Sequence, residues 1–133
     1  KNALVGELRQ AFPGARLTEN PDGLREILKK VTAFVDVPGT GVAFALDIRG
    51  TDFQRRVWQA LRAIPSGETR TNQQIATSLG DADAVRAVAG ACAANVLAVV
   101  VPCHRVVRKD GTLSGFRWGI PRKRQLLQME AQA

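Results

Sequence analysis

Within the first 48 residues, the apolar positions change from helical to alternating spacing. Apolar side chains recur three or four residues apart in two stretches. This spacing predicts a short helix ended by Phe12-Pro13-Gly14 and a second helix over residues 21–34. Residues 42–48 alternate strictly between apolar and polar, as in a half-buried strand. Because one strand cannot form a sheet alone, this strand requires partners.

Two capping patterns organise the next stretch into helices. Thr51-x-x-Gln54 precedes an apolar stripe of Phe53, Val57, Leu61 and Ile64, which predicts a helix stopped by Pro65. Thr71-x-x-Gln74 repeats the capping pattern and opens a short helix that ends at Gly80.

A helix of small residues follows, capped by Asp81 or Asp83, with a core face predicted at Val85, Val88, Ala89 and Cys92. Two short helices joined through a glycine turn are typical of a helix-turn-helix.

The C-terminal part combines a buried run with an unusual last helix. Residues 97–101 are continuously apolar and are followed by Pro102-Cys103-His104. This pattern predicts a buried segment that ends at a reactive pair, Cys103 and His104. A final helix is predicted to begin at Pro121, with Leu126 and Leu127 towards the core. Its basic residues 122–124 lie at the positive end of the helix dipole, and Glu130 lies at the negative end. This arrangement is electrostatically unfavourable for the helix, and such exceptions often occur at functional sites.

Composition and charge narrow the function classes. The 133 residues allow one main domain with a small appendage, and we place the boundary between residues 1–48 and 49–133. The net charge of +7 lies wholly in residues 49–133, which favours a polyanion such as nucleic acid as the partner. No apolar run is long enough to span a membrane, and the first residues show no signal-peptide pattern. Two Cys and one His exclude a four-ligand zinc finger and favour a reducing cytosol.

The adjacent Cys103 and His104 are candidates for nucleophilic chemistry. A thiol with a free pKa of about 8.5 reacts as a thiolate, so it needs a base or a lowered pKa. Neighbouring side chains on an extended segment point apart, so contact with the only histidine is not guaranteed and a water would relay the proton. Glu130 is a candidate to orient the imidazole. The alternatives, a small buried cysteine and a satisfied core histidine, stay open, whereas Cys92 is expected to be a core residue.

Several motifs together resemble the O6-alkylguanine-DNA alkyltransferases. The string Pro102-Cys103-His104-Arg105-Val106 is similar to the active-site motif of that family. The resemblance covers about 85 residues, from Asp47 to Leu127, and includes Ala84-Val85-Arg86-Ala87-Val88, Asn95 and the glycine-rich Gly111–Gly119 stretch. Within the family, residues 91–95 and 117–119 look like the C-terminal domain of the bacterial adaptive-response proteins.

The resemblance implies an α+β fold and a cofactor-free reaction. A small, truncated ribonuclease-H-like α/β unit would precede a mainly helical domain with a helix-turn-helix. An alkyl group would pass irreversibly from guanine O6, or thymine O4, to Cys103 in a single turnover. His104 would act as the base through water, Glu130 would orient His104, and Asn95 would fix the local backbone.

The resemblance also implies how double-stranded DNA is held. Arg86 would enter the stack from the minor groove where the damaged nucleotide has rotated out. The other DNA-binding positions would be Thr71, Asn72, Ala87, Gly90 and Ala91. The pocket for the base would comprise Val106, Ser114, Phe116, Arg117 and Trp118, with the Cys103 and Val106 carbonyls accepting from the guanine amino group.

One position departs from the family pattern. Asn72 stands where the family has a tyrosine that rotates the nucleotide and is proposed to protonate the leaving base, and an amide cannot give up a proton. A reduced rate is therefore expected, and a non-catalytic or weakly catalytic lesion-binding module is the alternative function. The chain is further expected to be a monomer in the bacterial cytoplasm at the nucleoid, and part of a longer chain with an N-terminal regulatory zinc module.

Overall fold

A computed structural model describes residues 2–36, 49–113 and 115–132. The chain divides into two compact units, residues 1–30 and residues 31–133. Helices α1 (Asn2–Ala11) and α2 (Arg25–Asp36) confirm the two helices predicted in the N-terminal part, although α2 begins and ends later than predicted. Leu4, Leu24 and Leu28, which belong to their apolar stripes, are exposed.

The mixed α/β character predicted for residues 1–48 is not supported. The described residues carry only helices and one isolated bridge, and the strand predicted over residues 42–48 lies outside them. Because a ribonuclease-H-like unit is built on a sheet, the two helices of residues 2–36 give no support for that assignment. The boundary predicted between residues 48 and 49 adjoins the same undescribed segment and stays a prediction.

The second unit is mainly helical, as predicted. It contains α3 (Asp52–Arg62), α4 (Asn72–Ser78), α5 (Val85–Ala93), a 3-10 turn (Cys103–Arg105) and α6 (Ile120–Gln132). Both capping boxes are confirmed. Thr51 Oγ1 accepts from the Gln54 amide at 3.1 Å, and Thr71 Oγ1 accepts from the Gln74 amide at 3.1 Å. Among the described residues, no helix is both long and apolar enough to cross a membrane.

The core lies between α3, α4 and α5. Val57, Leu61 and Ile64 are buried as the apolar stripe predicts. The indole Nε1 of Trp58 on α3 donates to the Ala91 carbonyl at 2.9 Å, which ties α3 to α5. Helices α4 and α5 are joined through Gly80, whose φ of +82° suits glycine, and they form the predicted helix pair.

A backbone bridge fixes the 3-10 turn beside the start of α4. The Arg70 amide donates to the Arg105 carbonyl at 2.9 Å, and the Val107 amide donates to the Arg70 carbonyl at 2.9 Å. Since Arg70 lies two residues before Asn72, this bridge holds the start of α4 close to Cys103.

Three details of α5 and α6 differ from prediction. No side chain caps α5, because the Asp81 carboxylate accepts from the Asp83 amide within the preceding turn, so the predicted aspartate cap is wrong. On α5, Val88 is buried as predicted, but Ala89, which was predicted to face the core, is exposed, and Ala91, which was predicted to contact DNA, is buried. On α6, Lys123 and Glu130 are the buried residues, while Leu126 and Leu127 are only partly buried.

Candidate active site

Asn95 organises the loop that ends at Cys103. Its Nδ2 donates to the Val101 carbonyl at 3.0 Å and to Cys103 Sγ at 3.3 Å, and its Oδ1 accepts from the Leu97 amide at 2.9 Å. Within this loop Val99 has a φ of +70°, a conformation that is strained for a β-branched residue. One buried amide therefore holds a strained loop and orients the thiol.

His104 and Glu130, which sequence reasoning paired across 26 residues, are in contact. His104 is fully buried, and its Nε2 lies 2.6 Å from Glu130 Oε1. With Nε2 facing a carboxylate, Nε2 carries the proton in the neutral imidazole and Nδ1 is the basic nitrogen. His104 Nδ1 is buried and has no hydrogen-bond partner among the described residues.

Arg105 is part of the same cluster, although sequence reasoning gave it no role. Its Nε lies 3.0 Å and its Nη2 2.9 Å from the two oxygens of Glu130, and its Nη1 donates to the Ile64 carbonyl at 2.6 Å. Burial raises the pKa of Glu130, but hydrogen bonds from His104 and Arg105 outweigh it and lower the pKa to about 2. Glu130 is therefore ionised at neutral pH. The signal for Arg105 in the sequence was its place in the Cys103 motif.

Lys123 is the second residue that sequence reasoning missed. Only 1% of it is exposed, and its Nζ donates to the Val106 carbonyl at 2.6 Å. Burial raises the pKa of the Cys103 thiol, whereas the Asn95 hydrogen bond and the charge of Lys123 lower it. The spacing of Lys123 and Glu130, seven residues or two helical turns apart, could have revealed a buried charged face on α6.

A cavity of about 500 Å³ opens beside Cys103. Its lining residues come from α4, α5, the 3-10 turn, the glycine-rich loop and α6: Asn72, Ala89, Cys92, Ala93, Cys103, Val106, Gly115, Phe116, Arg117 and Lys123. The volume falls within the range typical of small-molecule pockets. The structure therefore brings the Cys103 thiol together with three of the five predicted pocket residues, Val106, Phe116 and Arg117.

Two predicted pocket residues stand apart from this lining. Trp118 packs edge-to-face with the Phe116 ring at 5.1 Å and is partly buried against the core, so it contacts a lining residue without lining the cavity itself. Ser114 lies outside the described residues.

Cys92 is partly buried and packs against the core, as expected, and it also lines the cavity. Burial raises its pKa to about 12. It is therefore a neutral thiol and a poor nucleophile at physiological pH.

The positions predicted to contact DNA divide between two environments. Arg86, Ala87 and Gly90 lie on the exposed face of α5, and a Cβ added at Gly90 would meet no atom within 4 Å. The protein's own packing does not require glycine there, so the small residue leaves the α5 backbone open to a partner. Ala91 is 2% exposed and packs in the core, and a buried side chain cannot touch DNA.

Thr71 and Asn72 lie at the start of α4. The Thr71 hydroxyl serves as the helix cap, and Asn72 lines the cavity. Asn72 therefore lies on the thiol side of the helix pair.

Residues 52–132 match the family model described as "6-O-methylguanine DNA methyltransferase, DNA binding domain". The chain is 54% identical over 129 residues to "Bifunctional transcriptional activator/DNA repair enzyme Ada" of Escherichia coli, covering 97% of this chain and 36% of that relative. The chain thus spans about a third of the relative's length. It is 44% identical to a methylated-DNA–protein-cysteine methyltransferase of Mycolicibacterium paratuberculosis, covering 85% of this chain and 68% of the relative. A crystal structure of Mycobacterium tuberculosis OGT in complex with DNA superposes with a TM-score of 0.74 at 44% identity, covering 81% of this chain and 67% of that one.

Proposed function

The chain belongs to the 6-O-methylguanine DNA methyltransferase family, and on that premise we propose that it repairs DNA directly by moving an alkyl group from O6 of guanine to Cys103. O4 of thymine is the second target that we propose. The observation that carries the proposal is the Cys103 thiol on the wall of a base-sized cavity, held by Asn95 beside the His104–Glu130 pair.

The buried cluster supplies the base that this reaction needs. Because burial keeps Cys103 protonated, a base must remove its proton, and the unpaired His104 Nδ1 accepts it through a bridging water. Glu130 holds the imidazole in the orientation that leaves Nδ1 basic, and Arg105 keeps Glu130 anionic.

The chemistry balances without a cofactor. The Cys103 sulfur attacks the alkyl carbon, the C–O6 bond breaks as the S–C bond forms, and the proton that His104 took from the thiol is returned through water to the leaving guanine. A thioether cannot be reversed by these residues, so each chain acts once.

In this proposal, the helix pair brings the cavity next to DNA. A base can react only after it leaves the stack, which costs a few kcal/mol. Exposed Arg86 fills the vacated space, and the open backbone at Ala87 and Gly90 lets α5 approach the minor groove. The positive surplus of residues 49–133 holds the phosphate backbone. Asn72 lines the cavity and Thr71 precedes it in the chain, and in this proposal both contact the flipped nucleotide.

The cellular setting follows from the same premise. We propose that the protein acts as a monomer on double-stranded DNA in the bacterial cytoplasm, at the nucleoid. We further propose that a longer form of the chain carries an N-terminal regulatory zinc module. The Escherichia coli relative is named a transcriptional activator as well as a DNA repair enzyme, which fits a regulatory part in that protein.

A lesion-binding module without efficient chemistry is the second candidate. The observation that favours it is Asn72, which supplies the pocket with no acidic proton. Such a module predicts salt-dependent DNA binding and no covalent product.

Intact-mass spectrometry separates the two candidates. After incubation with a duplex containing O6-methylguanine, the wild type should gain the mass of one methyl group. Cys103→Ala should gain none, while Cys92→Ala, altered at the other thiol of the same cavity, should gain one. A wild type that binds the duplex yet keeps its mass would favour the binding module.

A further inference from the structure

The cavity beside Cys103 is poor in hydrogen-bond acceptors. Its polar lining side chains are Asn72, Cys92, Cys103, Arg117 and Lys123. The two cationic groups only donate, and thiols accept weakly. Asn72 is therefore the one described lining side chain that has an oxygen atom.

That oxygen lacks a partner. Asn72 Oδ1 is buried and accepts no hydrogen bond from any described residue. An unpaired buried carbonyl oxygen has lost its hydration without compensation, so a donor that reaches it is bound favourably. Rotation about the last side-chain torsion, which is broad for asparagine, turns the oxygen towards the cavity without moving the backbone.

The backbone acceptors nearby are already engaged. The Val106 carbonyl accepts from Lys123 Nζ at 2.6 Å, and the Cys103 carbonyl accepts from the Val106 amide at 3.2 Å. Each retains a second lone pair. Asn72 Oδ1, in contrast, accepts nothing from the described residues, so both of its lone pairs are available.

The two alkylated bases differ in what they can donate. Alkylation at O6 removes the N1 proton of guanine, so the exocyclic 2-amino group is the remaining donor on that edge. O4-alkylthymine has lost its N3 proton and has no amino group. A free acceptor in the pocket therefore distinguishes them.

We propose that Asn72 is a specificity-determining residue, whose Oδ1 accepts a hydrogen bond from the 2-amino group of O6-alkylguanine and so favours alkylated guanine over alkylated thymine. This inference rests on the proposed alkyl transfer to Cys103.

Three duplexes test the assignment, each with one modified base: O6-methylguanine, O6-methylhypoxanthine, which lacks only the 2-amino group, and O4-methylthymine. Single-turnover methyl transfer is measured at saturating protein. The wild type should react about tenfold or more faster with O6-methylguanine than with O6-methylhypoxanthine, as expected when a buried acceptor loses its donor. Asn72→Leu, which removes the amide, should reduce this ratio to below about threefold and narrow the preference over O4-methylthymine.

Two further variants separate recognition from folding. Asn72→Asp keeps an acceptor oxygen and should retain the wild-type ratio, although its charge slows both reactions. Gln73→Leu makes the same chemical change at the next residue, whose amide donates to the Ala82 carbonyl at 3.0 Å, and should also retain the ratio.

Two results would overturn the assignment while leaving the proposed function intact. In one, Asn72→Leu keeps the wild-type ratio of the O6-methylguanine rate to the O6-methylhypoxanthine rate. In the other, the wild-type protein itself shows a ratio near one. No methyl transfer from any duplex to the wild type would overturn the proposed function and this assignment with it.

Discussion

Replacing Glu130 with glutamine removes the charge around which the buried cluster is built. The residue is 8% exposed, and its carboxylate contacts His104 at 2.6 Å and Arg105 at 2.9–3.2 Å. The amide keeps the shape but leaves the Arg105 guanidinium buried without a counter-charge. Breaking a buried ion pair by removing one partner costs about 3–5 kcal/mol.

The pKa of Glu130 gives a second estimate of the stability lost in Glu130→Gln and predicts how that loss depends on pH. Its value falls from 4.5 to about 2 on folding, because the hydrogen bonds from His104 and Arg105 outweigh burial, which opposes them. A lowered carboxyl pKa stabilises the fold above pH 4.5, and this stability is lost as the pH falls towards 2. At about 1.4 kcal/mol per unit, Glu130→Gln should lower the free energy of unfolding by about 3 kcal/mol near pH 7, and by about 1.4 kcal/mol near pH 3.

Urea unfolding followed by tryptophan fluorescence measures both values. The chain has two tryptophans, Trp58 and Trp118, and both lie in the unit that contains Glu130. Glu68→Gln is the matched control, because its ion pair with Arg70 is exposed and should be worth less than about 1 kcal/mol. A loss for Glu130→Gln that is the same at both pH values, or below about 1 kcal/mol near pH 7, would refute the reasoning.

Three further substitutions test the thiol, the departure at Asn72 and the DNA face. Lys123→Met should raise the pKa of Cys103 and shift the pH profile of its alkylation by iodoacetamide to higher pH, because the charge of Lys123 opposes the effect of burial. Lys109→Met, at an exposed position, should leave this pH profile unchanged. Identical pH profiles for the two variants would contradict the electrostatic role of Lys123. Asn72→Tyr should raise the single-turnover rate on an O6-methylguanine duplex about tenfold or more, because a phenol can donate a proton where an amide cannot. An unchanged rate would show that the missing tyrosine proton does not limit the reaction. Arg86→Ala should slow transfer from duplex DNA about tenfold while changing the free energy of unfolding by less than about 0.5 kcal/mol, so a variant that is fast on the duplex would remove Arg86 from the flipping step.

Local signals made the helical part predictable. The capping boxes at Thr51 and Thr71 depend on residues three apart, and the apolar stripe of α3 depends on a fixed period. The capping boxes and the apolar stripe each depend on residues of a single helix, so these helices could be predicted without knowing how they pack together. The same local reasoning misplaced the α5 cap, because the Asp81 carboxylate bonds within its own turn instead.

Long-range contacts explain what sequence reasoning missed at the site. Lys123 is buried because α6 packs against the 3-10 turn, where the Val106 carbonyl meets its ammonium group. Arg105 bridges Glu130 and the Ile64 carbonyl, which lie far apart in the chain. Ala89 is exposed although it was predicted to face the core, and Ala91 is buried although it was predicted to contact DNA. Small residues such as these give little information about which side of a helix faces the core.

A titration of methyl acceptors tests the central claim most directly. A fixed amount of protein is given increasing O6-methylguanine duplex, and the transferred methyl groups are counted and located by peptide mass spectrometry. The account predicts a plateau at one methyl group per chain, carried by the Cys103 peptide, with no further transfer on fresh duplex. Continued transfer beyond the plateau, or a methyl group on Cys92, would contradict it.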